Sequence, residues 1–168
     1  WRGSQFFWKI ATRLQKLNEG EIVRLPNDFP LRIDSKDWIS KTIYQGTYER
    51  PLLHFLNSLV LSSLIVDVGA NIGVTLWHGL KNSKRDAWFM ALEPSKQCLP
   101  GLLLTTSHMD NKGHVLRCAI GDSDGIQTMH GIENEVHSGG ASLISHSGLR
   151  GHSEDVDVRR LDSLLAEY

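Results

Sequence analysis

Three acidic residues follow three apolar runs in the central part of the chain. Asp67 sits inside "LIVDV", just before the break Gly69-Ala70-Asn71-Ile72-Gly73. Glu93 ends "AWFMALE", and Asp122 follows Gly121 after "HVLRCAI". Glycines after a strand let the backbone take unusual dihedrals and approach a ligand closely. A helix starting there offers unpaired N–H groups and a partial positive charge. In an open parallel sheet, ligands bind beyond the carboxyl ends of the strands.

Two ligand types suit such a turn: a dinucleotide pyrophosphate, or S-adenosylmethionine. A dinucleotide fingerprint needs G-x-G-x-x-G. Here Asn71 and Val74 stand where its second and third glycines belong. Asp67 would repel a pyrophosphate but would face the ammonium and sulfonium of S-adenosylmethionine. Glu93 comes roughly 20 residues after Gly73, where an acidic side chain can accept both ribose hydroxyls. Asp122 is placed to meet an adenine amino group. Each residue also has a plainer reading. Asp67 could cap the next helix, and Gly69 and Gly73 could serve strand–helix packing. Glu93 before Pro94 could open a helix, and Asp122 in "GDSDG" could belong to an ordinary turn.

The elements that must position these residues read as α/β. "LIVDV" is a short, nearly continuous apolar run, as expected of a strand buried on both faces. "VTLWHGLK" reads as helix, "AWFMALE" as strand, "SKQCLPGLLLTTSHM" as helix and "HVLRCAI" as a third strand. This alternation means parallel pairing through right-handed crossovers. Upstream, "EIVRLPNDFPLRI" reads as a small hairpin. "DSKDWISKTIYQGTYE" carries a helical apolar set, Trp38, Ile39 and Ile43, with an N-cap at Asp34 or Ser35, and a second helix starts at Pro51. Phe6, Phe7, Ile10, Leu14 and Leu17 recur at helical spacing with Lys9, Arg13 and Lys16 between them, as in a docking helix. Downstream come a hairpin at "IQTMHG", a glycine- and histidine-rich stretch with "ASLI" extended, a strand at "DVDVRR" and a helix at "LDSLLAEY". Residues 1–35 divide from residues 36–168 as an N-terminal helix and hairpin ahead of the main domain.

Bulk composition narrows the function classes. The chain has 168 residues, is 40% hydrophobic and 22% charged, and carries a formal net charge of −1. That is the composition of a globular domain. No basic excess supports a nucleic-acid partner. No apolar run approaches the ~18 residues of a membrane span. Cys98 and Cys118 form no framework spacing, so reduced thiols and a cytoplasmic location are expected. His130, His137, His146 and His152 have no recognised ligand spacing, so no metal site is expected. His54 and His78 are candidates for a proton acceptor by residue type only, and the catalytic base is unassigned. Oligomeric state is not legible.

"LIVDVGANIGVTLW", "MALEPS", "CAIGDSDG" and "VDVRRLDSLL" resemble the FkbM family of S-adenosylmethionine-dependent methyltransferases. "GTYERPLLHFL" resembles that family's Gly-x-Tyr-Glu lead-in, and "GGASLI" its Ser-Leu segment. The resemblance spans roughly residues 36–167, and Asp-x-Gly-Ala-Asn-x-Gly is its most specific part. It implies a Rossmann-like class I methyltransferase fold, a parallel sheet with flanking helices. It also implies O-methyl transfer to a hydroxyl of a small molecule, sugar or lipid. By motif position, Asp67, Gly69, Asn71 and Gly73 would hold the methionine end, with Ala70 in the same turn. Glu93, followed by Pro94, would hold the ribose, and Asp122 would lie near the adenine. Glu49 is a further cofactor neighbour, or equally a helix cap. Family members continue past "LDSLL" into further strands, so the expected fold is incomplete here, with C-terminal strands absent. A non-catalytic cofactor-binding or interaction module is the alternative. A nicotinamide-dependent oxidoreductase is disfavoured by the broken fingerprint.

Overall fold

The computed structural model describes residues 18–34, 36–60, 62–84, 86–131, 139–144 and 151–168. The helix expected around Phe6–Leu17 lies outside these residues, as do Ser35, His137 and His146.

The chain enters through a hairpin, β1 (Ile22–Arg24) and β2 (Pro30–Arg32), paired antiparallel as expected. Its tight turn is closed by the amide of Asp28 donating to Leu25 O at 2.8 Å. Phe29, Leu31 and Ile33 are buried against Ile39 and Ile43 of α1 (Trp38–Tyr44) and against Val74. The hairpin therefore shares a core with the main body. Its burial of large apolar side chains contributes about 1.5–3 kcal/mol for each one fully covered.

The N-cap of α1 is Asp37, not Asp34 or Ser35. The Asp37 carboxylate accepts the Ser40 amide at 2.8 Å. Asp34 lies one step earlier and accepts the amides of Lys36 and Asp37, so the first acid shapes the approach and the second caps. After a short loop, α2 (Arg50–Asn57) carries Pro51 in its first turn.

The central sheet is parallel, with order β3 (Leu64–Val68), β4 (Trp88–Leu92) and β5 (Lys112–Leu116). The crossovers carry α3 (Val74–Leu80) and α4 (Leu99–Ser107). β4 is the middle strand and is buried on both faces. Phe89 and Ala91 join Leu76, Leu80 and Leu102 on one side. Met90 and Leu92 join Cys118 and Leu164 on the other. β3 differs from expectation. It lies at the sheet edge, and Leu64 and Val68 are 48% and 52% exposed.

The expected third strand is broken in two. β5 stops at Leu116, and Ala119–Ile120 form a separate short strand, β6. β6 pairs parallel with β8 (Ser153–Arg159), and β7 (Gly125–His130) pairs antiparallel with β8. Arg117 sits at the break. Its guanidinium bonds Pro94 O and the Glu154 carboxylate, turning the chain from one sheet to the other. The expected hairpin at "IQTMHG" is instead one strand whose partner is distant in sequence. "ASLI" contributes only an isolated bridge between Ser142 and His130. α5 (Leu161–Glu167) follows β8 and sets Leu164 against the central sheet. An α/β architecture with a three-stranded parallel sheet and flanking helices is thus present. Among the described residues, no helix is long and apolar enough to cross a membrane.

Candidate functional site

The turn after β3 is built from left-handed residues. Gly69, Asn71 and Gly73 have φ of +76°, +51° and +84°. Glycine takes such angles freely, and asparagine is one of the few other residues that tolerates them. Asn71 also bonds locally, its Oδ1 accepting the Ile72 amide at 2.8 Å. Gly73 has a second reason to be glycine. A Cβ there would lie 2.9 Å from Thr105 Cγ2 and 3.1 Å from Leu102 Cδ1 of α4. A Cβ at Gly69 would meet no described residue within 4 Å. The turn is therefore packed on one flank and open at Gly69.

Every amide of this turn has a partner within the protein. Gly69 and Ala70 both donate to Leu92 O, at 2.9 and 3.1 Å. Asn71 donates to Glu93 Oε2 at 2.8 Å, Ile72 to the Asn71 side chain, and Gly73 to Ala70 O at 2.8 Å. Anion-binding glycine loops work by aiming several unengaged N–H groups at a phosphate. This turn has none to aim.

Its acidic groups stand in the opposite situation. Asp67 is largely buried, and burial holds its carboxyl above the ordinary carboxylate range, while the Leu76 amide of α3 pulls it back down. Its second oxygen, Oδ2, is buried with no hydrogen-bond partner among the described residues. Native proteins pair nearly all buried polar atoms, and an exception points to a missing ion, water or ligand.

Glu93 is 5% exposed. Burial again raises its carboxyl, the Ser95 and Asn71 amides lower it, and the negative charges of Asp67 and Glu154 raise it further. Both its oxygens are engaged, Oε1 by Ser95 and Oε2 by Asn71, each at 2.8 Å. Glu93 thus clamps the glycine turn to the start of the β4–α4 connection. Its partners leave lone pairs on both oxygens, but the side chain already has structural work. Pro94, next in the chain, contributes its carbonyl to Arg117.

The structure brings Asp67, Gly69, Ala70, Asn71, Gly73 and Glu93 into one constellation. Asp122 is not part of the expected row of strand ends. The break after Leu116 puts it beyond β6, in the second sheet, where it is exposed and accepts Ser123 Oγ at 3.0 Å. Glu49 occupies the N-cap of α2 with φ of +39° and makes no side-chain capping bond. Such a conformation is strained for a non-glycine residue.

Two neighbours were not singled out from the sequence. Tyr48 precedes Glu49 in the "GTYE" motif. Its phenol is held above the ordinary range by burial and then by the charges of Glu49, Asp67 and Asp37. The motif was visible, but nothing in it ranked the tyrosine above the glutamate. Gly139 approaches the turn from the second sheet's connection. A Cβ on it would lie 2.6 Å from Ile39 Cδ1 and 3.9 Å from Asn71 Nδ2. No spacing rule relates residue 139 to residue 71.

Of the two helix histidines, His78 is committed to structure. Asn27 Nδ2 donates to His78 Nε2 at 2.9 Å, and His78 Nδ1 donates to Asn57 Oδ1 at 3.0 Å. Burial lowers its pKa, keeping it neutral in this linkage of hairpin, α2 and α3. It is not available as a base. His54 is exposed on α2. No protein-family model, curated protein or solved structure matches the chain.

Proposed function

We propose that this chain is the donor-binding part of an S-adenosylmethionine-dependent methyltransferase resembling the FkbM family, acting on a hydroxyl of a small molecule, sugar or lipid. The observation that carries the reading is Asp67 Oδ2, buried and without a partner among the described residues, at the tip of an edge strand. A cationic ligand is what such an oxygen lacks. The open flank at Gly69 gives the approach, and Glu93 adds a second negative charge close by. The fully engaged turn amides argue against a pyrophosphate and hence against a nicotinamide dinucleotide.

S-adenosylmethionine, when bound, supplies a methyl group activated by a sulfonium. The chain's own residues have simpler tasks. Asp67 would hold positive charge, and Glu93 would keep the turn in shape through Asn71 and Ser95. Positioning of this kind can supply up to about 7–11 kcal/mol in a displacement reaction. A non-catalytic binding module is the second reading. One observation favours it: the acid expected to grip the ribose already grips the protein.

The test is calorimetry with S-adenosylhomocysteine and, separately, NAD. Saturable binding of the first and none of the second is expected. The reverse result, or heat from neither, would remove the reading. The module reading predicts binding of S-adenosylhomocysteine without methyl transfer to any hydroxyl acceptor supplied with S-adenosylmethionine.

A further inference from the structure

A groove of about 880 Å³ runs between the hairpin turn, the α1–α2 loop and α2. Val74, the first residue of α3 and the next residue after Gly73, lines it. Tyr48, whose phenol lies in the field of Asp67, also lines it. The groove and the glycine turn are thus neighbours separated by a half-buried tyrosine and one residue of helix.

The lining has a consistent sign. Leu25, Phe29, Ile43 and Leu53 supply apolar wall, while Arg24 and Arg50 supply cationic groups. No aspartate or glutamate lines it among the described residues. The nearest carboxylates in sequence, Asp28 and Glu49, are exposed and outside the lining. Neither arginine is in an ion pair with a described residue. Among the described residues Arg24 donates once, to Asp28 O at 3.2 Å, leaving most of its five N–H groups for other acceptors. Three of the lining residues, Asn27, His78 and Asn57, are linked by hydrogen bonds, so this part of the groove is preformed. Its size falls within the range of small-molecule sites.

We propose that this groove binds the methyl acceptor, and that the acceptor is a soluble amphiphile with a carboxylate or phosphate group on an apolar body. Arginine is the side chain best suited to gripping either group through paired N–H donors. The apolar wall covers the rest of the molecule. The chain's own N-terminal residues 1–17 carry Arg2, Lys9, Arg13 and Lys16 and no acid, so they would set like charge against like in this groove. Assigning the groove to an acceptor rests on the methyl-donor reading; its preference for an anionic amphiphile does not.

Hexyl phosphate is the probe, with hexanol and inorganic phosphate as half-molecules and phosphatidic acid vesicles as the membrane alternative. Titration followed by chemical-shift changes should show hexyl phosphate binding at least tenfold tighter than either half. The double variant Arg24→Gln/Arg50→Gln should lose at least tenfold of that affinity, and Arg50→Lys should lose less. Affinity for S-adenosylhomocysteine should stay within about twofold in these variants, which also reports that they fold. Hexyl phosphate binding no better than hexanol, or indifferent to both arginines, overturns the groove. So does binding to vesicles alone. Displacement of S-adenosylhomocysteine by hexyl phosphate overturns the acceptor assignment, because donor and acceptor must be held together. Absence of S-adenosylhomocysteine binding in the unmodified chain, with hexyl phosphate still bound, overturns the donor reading and the acceptor assignment but leaves the anion groove standing.

Discussion

Two turns of this chain are spelled alike, and the fold treats them differently. Each ends an apolar strand and combines aspartate with glycine: Asp67–Gly73 at the end of β3, and Gly121–Asp124 after β6. The first lies beside the buried middle strand of a parallel sheet. Leu92 O and Glu93 of that strand's end receive three of its amides. α4 packs against its far side through Thr105, whose hydroxyl donates to Ile72 O at 2.7 Å. The second follows a two-residue strand and is held by surface bonds, such as the Arg160 amide to Asp124 Oδ1 at 2.6 Å. Depth comes from the neighbours. An acid next to a covered parallel strand becomes a buried charge, and an acid beyond a short outlying strand stays in water.

The largest effect that would test this contrast is steric. Gly73→Ala must hold a left-handed conformation, at about 1–2 kcal/mol. It must also push Thr105 and Leu102 aside, at about 1–3 kcal/mol more. Gly69→Ala meets open space and carries only the first cost. Thermal unfolding should fall by roughly 5–15 °C for Gly73→Ala, using about 2–4 °C per kcal/mol for a domain of this size. Gly69→Ala should fall by less than half as much. Equal shifts would show that the turn is not packed on one flank as described.

The contrast was half legible beforehand. The apolar runs, the alternation of strand and helix, and the Gly–Asn spacing located the first turn, because each is a local pattern. Its edge position was not legible. "LIVDV" is as apolar as a central strand, yet whether a neighbour covers it depends on pairing elsewhere. The break at Arg117 was hidden for a similar reason. "HVLRCAI" has no proline or glycine to interrupt it, and the turn is made by a guanidinium reaching Pro94 O and Glu154, far along the chain. The cap of α1 was not legible: Asp34 or Ser35 is the expectation, and Asp37, an acid of the same type as Asp34, takes the place because its carboxylate reaches the Ser40 amide.

A second, intermediate effect concerns charge. Asp67→Asn keeps an oxygen for the Leu76 amide and removes the negative charge. A charge-assisted hydrogen bond is worth about 1.5–3 kcal/mol, so affinity for S-adenosylhomocysteine should fall roughly ten- to hundredfold. The ligand-free protein should respond oppositely. Burial raises the Asp67 carboxyl, so the folded state holds that proton more tightly than the unfolded chain does. Its contribution to stability is then fully present below the unfolded pKa and declines as pH rises through the folded one. Asp67→Asn escapes that decline. Its unfolding temperature relative to the parent should therefore increase between about pH 4, near the ordinary carboxylate value, and pH 7. A parallel pair of curves would mean that the carboxylate is not held against its charge.

The smallest effect belongs to the second turn. Asp122 is exposed and, among the described residues, bonded only to its neighbour Ser123. Surface substitutions of this kind usually change stability by within about 0.5 kcal/mol. Asp122→Ala should leave unfolding nearly unchanged and should alter S-adenosylhomocysteine affinity by less than about threefold, since an exposed carboxylate gains little from a partner it shares with water. A loss as large as that of Asp67→Asn would restore Asp122 to the cofactor. It would also mean that the second sheet closes toward the first when ligand is bound, carrying β6 and its turn to the glycine bend. The Arg117–Glu154 pair would then be the joint, because it already ties the end of β5 to β8 at 2.9 Å.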